Sequence, residues 1–319
     1  MKHTSHVTRT QNRALKLFCL IFLCAMARTN NLASYDLPFA IDLGETNILD
    51  GGPKVDTPGF YWIQDQNYYH VNKLLDAQGN LLENVQSPHV NAFVFATELL
   101  YQSKLSLLGG KFGASLLLPP LVFLGVAPNS LGLRAKNAGL SNPVLSLFIQ
   151  YDTINYKDRP IFIHRLATTI FPPLGTNSYP AYTINPADML WCIDTYWAAT
   201  LYIAPKLAAS WHLFYLWCSK NQKTNIKPGV TFHMNYSMAY NISPNCWLAV
   251  NGYYLQQLKN STTCGQAIPE SKERVFGIGP GFLWELPKEF QLLGHLYFES
   301  NVRNRPQGVA AFLNFIKHF

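Results

Sequence analysis

Alternation is the feature that most constrains this chain. In its last stretch Val309, Ala311, Leu313 and Phe315 share one face of an extended ribbon, with Ala310, Asn314 and His318 on the other, because successive side chains of a strand point to opposite faces. The pattern recurs through the second half. From Val230 to Tyr240 the even positions read Val230, Phe232, Met234, Tyr236, Met238, Tyr240, and the odd ones Thr231, His233, Asn235, Ser237, Ala239. Phe276, Ile278, Pro280, Phe282 and Trp284 stand against Gly277, Gly279 and Gly281. Phe290, Leu292, Leu296 and Phe298 oppose Gln291, His295, Tyr297 and Glu299, and Trp211, Leu213, Tyr215 and Trp217 form another stripe. A soluble β-sandwich also alternates, but its outward face is charged, and here the outward face is aromatic and aliphatic.

Composition narrows the choice. Charged residues make up 13% and aromatics 14%, yet mean hydropathy is only +0.01. A helical membrane protein is far more apolar, because every face of its spans meets lipid or another helix; a lipid-embedded barrel alternates, and its average cancels. Lys2, Arg9, Arg13 and Lys16 precede the apolar run Leu17 to Ala27, which ends Ala25-Met26-Ala27. This reads as an export signal over residues 1–27, since a run of about eleven falls short of the roughly twenty that a spanning helix needs. Removing it takes four basic residues from 25, leaving 21 Lys+Arg against 18 Asp+Glu. Nucleic-acid binding, which needs a dense basic patch, has no compositional support.

Residues 28–57, rich in Gly, Asn and Asp and without clean periodicity, read as a periplasmic N-terminal arm or plug. From 58 to 319 the chain reads as an all-β, antiparallel transmembrane barrel of about twelve strands, ten to fourteen being possible. The strand-like runs are 60–72, 88–100, 104–118, 143–151, 160–171, 190–202, 208–219, 229–240, 246–257, 274–285, 289–302 and 308–319. Their links alternate long and short, the rhythm of a barrel with periplasmic turns and external loops. The exceptions are 152–159, long for a turn, and 303–307, short for an outer loop. The apolar stretch Leu105 to Ala127 is long enough for a helix, but Gly109-Gly110, Gly113 and Pro119-Pro120 argue against one; it reads as a strand to about Leu118, then a loop.

On this register Thr231, His233, Asn235, Gln291, His295 and Glu299 line the lumen as candidate pore residues. Histidine beside carboxylate can do acid–base work, but a hydrogen-bonded pore lining uses the same residues. No nucleophile elbow, zinc motif or phosphate loop occurs, so no catalytic residue, cofactor or metal is expected; a membrane hydrolase remains the least favoured reading. Cys192 and Cys218 lie nearly equidistant from Pro205 and share the lumen parity, so antiparallel pairing sets them roughly opposite. Opposed residues bridge only in the right kind of pair, so a disulfide and two inert thiols both fit. Cys246 is expected at the periplasmic end and Cys264 in an outer loop.

Several short motifs carry a resemblance. They are Pro58-Gly59-Phe60-Tyr61, Asp76-Ala77-Gln78-Gly79, Leu108-Gly109-Gly110, Leu118-Pro119-Pro120, Gly139-Leu140-Ser141-Asn142-Pro143, Pro228-Gly229, Gly277-Ile278-Gly279-Pro280 and Arg303-Asn304-Arg305-Pro306-Gln307-Gly308. In this order the chain resembles the outer-membrane family named for the meta pathway of phenol degradation (MetA), distantly similar to the long-chain fatty-acid transporters. It departs at Ser141-Asn142, where the family has Gly-Asp, and at Pro173-Leu174-Gly175, where the family has Pro-Thr-Gly. The closing Phe319 resembles the C-terminal signal of outer-membrane barrels, which implies recognition by the barrel-assembly machinery; Lys317 departs from that signal, though its stem can snorkel. The resemblance implies a bacterial outer-membrane channel, surrounded by lipid and lipopolysaccharide, that passes small hydrophobic or aromatic solutes by diffusion. The alternative is a structural or adhesion barrel acting through its outer loops.

Overall fold

A computed structural model of the chain describes residues 41–319 apart from 46–47, 53–56, 83–87, 127–133, 136, 178–182 and 222–223. The export signal expected over 1–27, and the arm ahead of residue 41, lie outside the described residues. The barrel has twelve strands. They are β1 Gly59–Leu74, β2 Val90–Leu107, β3 in two pieces, Gly110–Leu117 and Leu121–Val126, and β4 likewise, Ala138–Leu140 and Val144–Tyr151. There follow β5 Arg159–Phe171, β6 Cys192–Ala204, β7 Leu207–Cys218 and β8 Thr231–Ser243. The last are β9 Cys246–Gln257, β10 Arg274–Leu286, β11 Phe290–Arg303 and β12 Pro306–His318.

Each strand pairs antiparallel with its neighbours in sequence, and β1 pairs with both β2 (Gly59↔Gln102 to Val71↔Val90) and β12 (Tyr61↔His318 to Leu74↔Pro306). The sheet is therefore closed, and among the described strands the long ladders leave no open edge in hydrocarbon, while the short piece Ala138–Leu140 pairs with β3 alone. Alternation sorts the side chains. On β8 Thr231, His233, Asn235, Ser237 and Ala239 are buried inside while Met238 and Tyr240 are exposed outside, and Phe93, Leu99, Leu147, Val250 and Phe298 extend the apolar exterior. By the rule that outer-membrane barrels turn short on the periplasmic side, the end carrying residues 205–206, 244–245 and 287–289 is periplasmic.

Three expectations change at the first hairpins. The first short turn is not at 101–103 but at Leu108 and Gly109, both with positive φ (51° and 83°), the geometry whose twist matches a two-residue hairpin. The sequence placed it wrongly because β2 is apolar on both faces: Val90, Ala92, Ala96 and Leu100 point inward while Phe93, Phe95 and Leu99 point out. Second, β3 does not end in a loop after Leu118. It resumes at Leu121–Val126 against Val90–Phe95 of β2. The Pro119-Pro120 break shifts the face by one, so Gly113 and Ser115 point inward before it and Val122 and Leu124 after it. The interruption in β4 at Asn142-Pro143 lies beside it, since Leu117 pairs with Val144 and Leu121 with Leu140. Third, the long 152–159 link is an extended hairpin in which Ile154–Tyr156 pairs with the start of β5 and turns at Lys157 and Asp158, both at positive φ.

Candidate functional site

The lumen contains part of the chain itself. Residues 41–45 and 48–52 run inside the barrel, where Ile41 packs with Leu255, Val275 and Tyr297 toward the long-loop end, and Ile48 with Ala208, Trp247, Leu283 and Leu293 toward the short-turn end. Its backbone lacks a ladder and takes partners from the wall. The Gly44 N–H donates to Asn235 Oδ1 (2.9 Å), the Gly44 carbonyl accepts from Tyr297 OH (2.8 Å), and the Gly51 N–H donates to Thr200 Oγ1 (2.8 Å). Gln150 Nε2 donates to the Gly51 carbonyl (2.9 Å). Three arm carboxylates enter with it. Asp42 accepts from Asn235 Nδ2 (2.7 Å), Glu45 from Asn67, and Asp50 bonds His212 Nδ1 (2.9 Å). Burial, together with the Asp65, Asp42 and Glu98 carboxyls nearby, pushes the Glu45 carboxyl well above the usual carboxylate range.

The structure places the sequence-derived candidates in three groups. Thr231, His233 and Asn235 stand in a column on β8, with no exposed surface. His233 Nε2 bonds Asp194 Oδ2 on β6 at 2.9 Å, across the β7 side chain Phe214, whose ring stacks on the imidazole at 4.1 Å; Asn235 clamps the arm. Glu299 accepts from Tyr69 OH (2.6 Å), Tyr253 OH (2.8 Å) and the Gly308 N–H (2.7 Å), tying β1, β9 and β12 together. His295 is buried with neither ring nitrogen partnered among the described residues, and Gln291 is half-buried near the short-turn end. The six do not converge on one point.

Cys192 and Cys218 are Cα partners on β6 and β7, 4.1 Å apart and joined as a disulfide, at the long-loop end of the lumen. Cys246 opens β9 beside a short turn, and Cys264 is exposed. Asn142, where the family has Asp, accepts from the Gly175 N–H (2.8 Å) and donates to the Asp188 carbonyl (3.1 Å). The second bond needs the amide's N–H, which a carboxylate lacks. Sequence reasoning missed Asp194, His212 and Asn251. Asp194 shares the parity of Cys192, and His212 opposes the Trp211 stripe, so parity alone carried that signal. Among the described residues no group of three or more His, Cys, Asp or Glu side chains is arranged to hold a metal.

The fold matches the crystal structure of an outer membrane channel from Pseudomonas putida F1 with a TM-score of 0.71, over 88% of this chain and 100% of that one, at 15% identity. At that identity the likeness shows the fold, that of a bacterial outer-membrane β-barrel. The CymD monoaromatic hydrocarbon channel matches at a TM-score of 0.45 and 10% identity, over 82% of this chain and 89% of that one. A Pseudomonas aeruginosa FadL homologue matches at 0.38 and 8%, over 81% and 88%. No curated protein sequence matches the chain. Residues 73–315, most of the chain, match the profile of the family described as "Putative MetA-pathway of phenol degradation", and the chain belongs to that family.

Proposed function

We propose that the protein is an outer-membrane channel through which small, uncharged hydrophobic or aromatic solutes diffuse passively. The observation that carries this reading is the mixed makeup of the inner wall, where Leu100, Phe148, Phe214, Leu216, Leu255 and Leu283 point inward among polar side chains such as Thr200 and Asn235 that are already bonded to the arm. A water-filled porin has a polar lumen. The apolar stretches of this wall offer a hydrated ion nothing in exchange for its water, and Thr200, Gln150 and Asn235 are taken up by the arm, whereas an apolar solute loses nothing by entering along those stretches. The family description names phenol degradation, and phenol, a small ring with one hydroxyl, fits a lumen of this kind. The arm occupies the same space, so solute moves past it or after it yields.

The test compares solutes of similar size in proteoliposomes containing lipopolysaccharide. Aromatic solutes should enter faster through the protein than a sugar of similar mass, with small conductance steps in planar bilayers. A barrel that passes neither class, and instead binds envelope or host material through its long loops, would replace the channel reading with the structural one.

A further inference from the structure

Among the described residues, Asn251 and His295 in the lumen wall are the side chains with two polar atoms that are both buried and without a partner. Asn251 on β9 has no exposed surface and His295 on β11 is 4% exposed, yet neither amide atom of the first nor ring nitrogen of the second has a hydrogen-bond partner. Buried polar groups are almost always paired, and a side chain that lacks a partner at both of its polar atoms calls for an explanation. They are also close together. Asn251 pairs in register with Gly279, but its Oδ1 lies over Gly281, in the space a Cβ there would take, and Gly281 is the direct cross-strand partner of His295. The bare glycine thus leaves the carboxamide the space on the strand position that His295 faces across the ladder. Three glycines of β10, Gly277, Gly279 and Gly281, share this inward parity, so between Val275 and Leu283 the wall separating the two strands carries no side chain of its own.

The surroundings are aromatic. Tyr297 stacks on His295 at 6.1 Å between ring centres, meets Phe312 at 5.6 Å and Tyr253 at 5.0 Å, and Phe312 is the cross-strand partner of His295. A carboxamide offers two donors and an acceptor, and a neutral imidazole one of each. A hydroxyl, which donates once and accepts twice, satisfies one group on each residue, and the aromatic collar suits a ring attached to it. The arm carboxylates Asp42, Glu45 and Asp50 share this lumen and disfavour an anion.

We propose that Asn251 and His295 form a hydrogen-bonding station for the hydroxyl of an uncharged phenol-type solute whose ring lies against Phe312, beside the Tyr297 ring that the arm's Gly44 covers. The inference rests on the channel reading and adds to it a preference for hydroxylated over plain aromatic rings. The experiment titrates the full-length folded protein with phenol and with toluene, following the ring-nitrogen resonances of His295 and the heat of binding. Phenol should shift those resonances and bind about tenfold tighter than toluene. The substitutions Asn251→Leu and His295→Phe remove polar atoms while conserving bulk, and in either the preference should fall to about one. Equal affinities in the unaltered protein, a preference that survives both substitutions, or His295 resonances that phenol leaves in place because a water holds the site would each overturn the station. The comparison within the unaltered protein decides the matter even if a variant fails to fold. Flux separates this failure from the broader one: if both solutes pass at equal rates the station alone is wrong, and if neither passes the channel reading goes with it.

Discussion

At the scale of single residues, parity was enough for some contacts and too little for others. Cys192 and Cys218 share the inward face and sit at equal distance from a short turn, which is all that is needed to set them opposite one another across β6 and β7. The bond closes a sequence separation of 26. A loop of that size is worth about 3.5 kcal/mol in the chain-entropy picture, because the bond restrains the unfolded chain. Alkylation without reductant should therefore label Cys246 and Cys264 and spare the other two, and reduction should lower the temperature at which the barrel unfolds. Labelling of all four by mass would remove the bridge. His233 and Asp194 share no such local signal. They lie on β8 and β6 with Phe214 between them, and their contact depends on how far each ladder is staggered, Asp194 facing Leu216 while Phe214 faces His233. That stagger is a property of three paired strands and is written in none of them singly. Asn251 was hidden for the same reason, because its meaning comes from a glycine one strand away.

At the scale of elements, the strands with one polar face were legible, and those apolar on both faces were misplaced at their ends. β2 and the second piece of β3 face an apolar part of the lumen, where Ala92, Val122 and Leu124 pack together, so period two loses its contrast and the turn at Leu108-Gly109 went unplaced. The arm had no period at all, because an irregular segment takes its partners from the wall. Its docking should depend on pH through Glu45. The carboxyl is raised by burial, and further by Asp65, Asp42 and Glu98, when docked, and takes its ordinary value, about 4.3, when the arm is free. The docked state therefore binds the proton more tightly, and this contribution is fully present below the ordinary value and lost as pH rises through the raised one. A spin label at Leu49 should become more mobile as pH is raised, and Glu45→Gln should flatten the response. A label equally immobile at acid and alkaline pH would show that Glu45 does not govern docking.

At the scale of the whole molecule, wall and lumen contents have separate sources of stability. The wall is held by backbone ladders that run through all twelve strands and close at β1 with β12, and in hydrocarbon opening a closed ladder exposes groups with no other partner. The arm adds Ile41, Ile48 and a handful of hydrogen bonds to wall side chains, none of which belongs to a ladder. Deleting residues 41–52 as a block should accordingly leave a barrel that still migrates anomalously on a detergent gel until boiled. It should also remove the segment that fills the lumen between the two apolar ends, so single-channel conductance should rise and its pH dependence should vanish. An arm-less barrel that stays folded but conducts no better would mean that the restriction lies in the outer loops, and one that fails to fold would mean that the wall needs its contents to close.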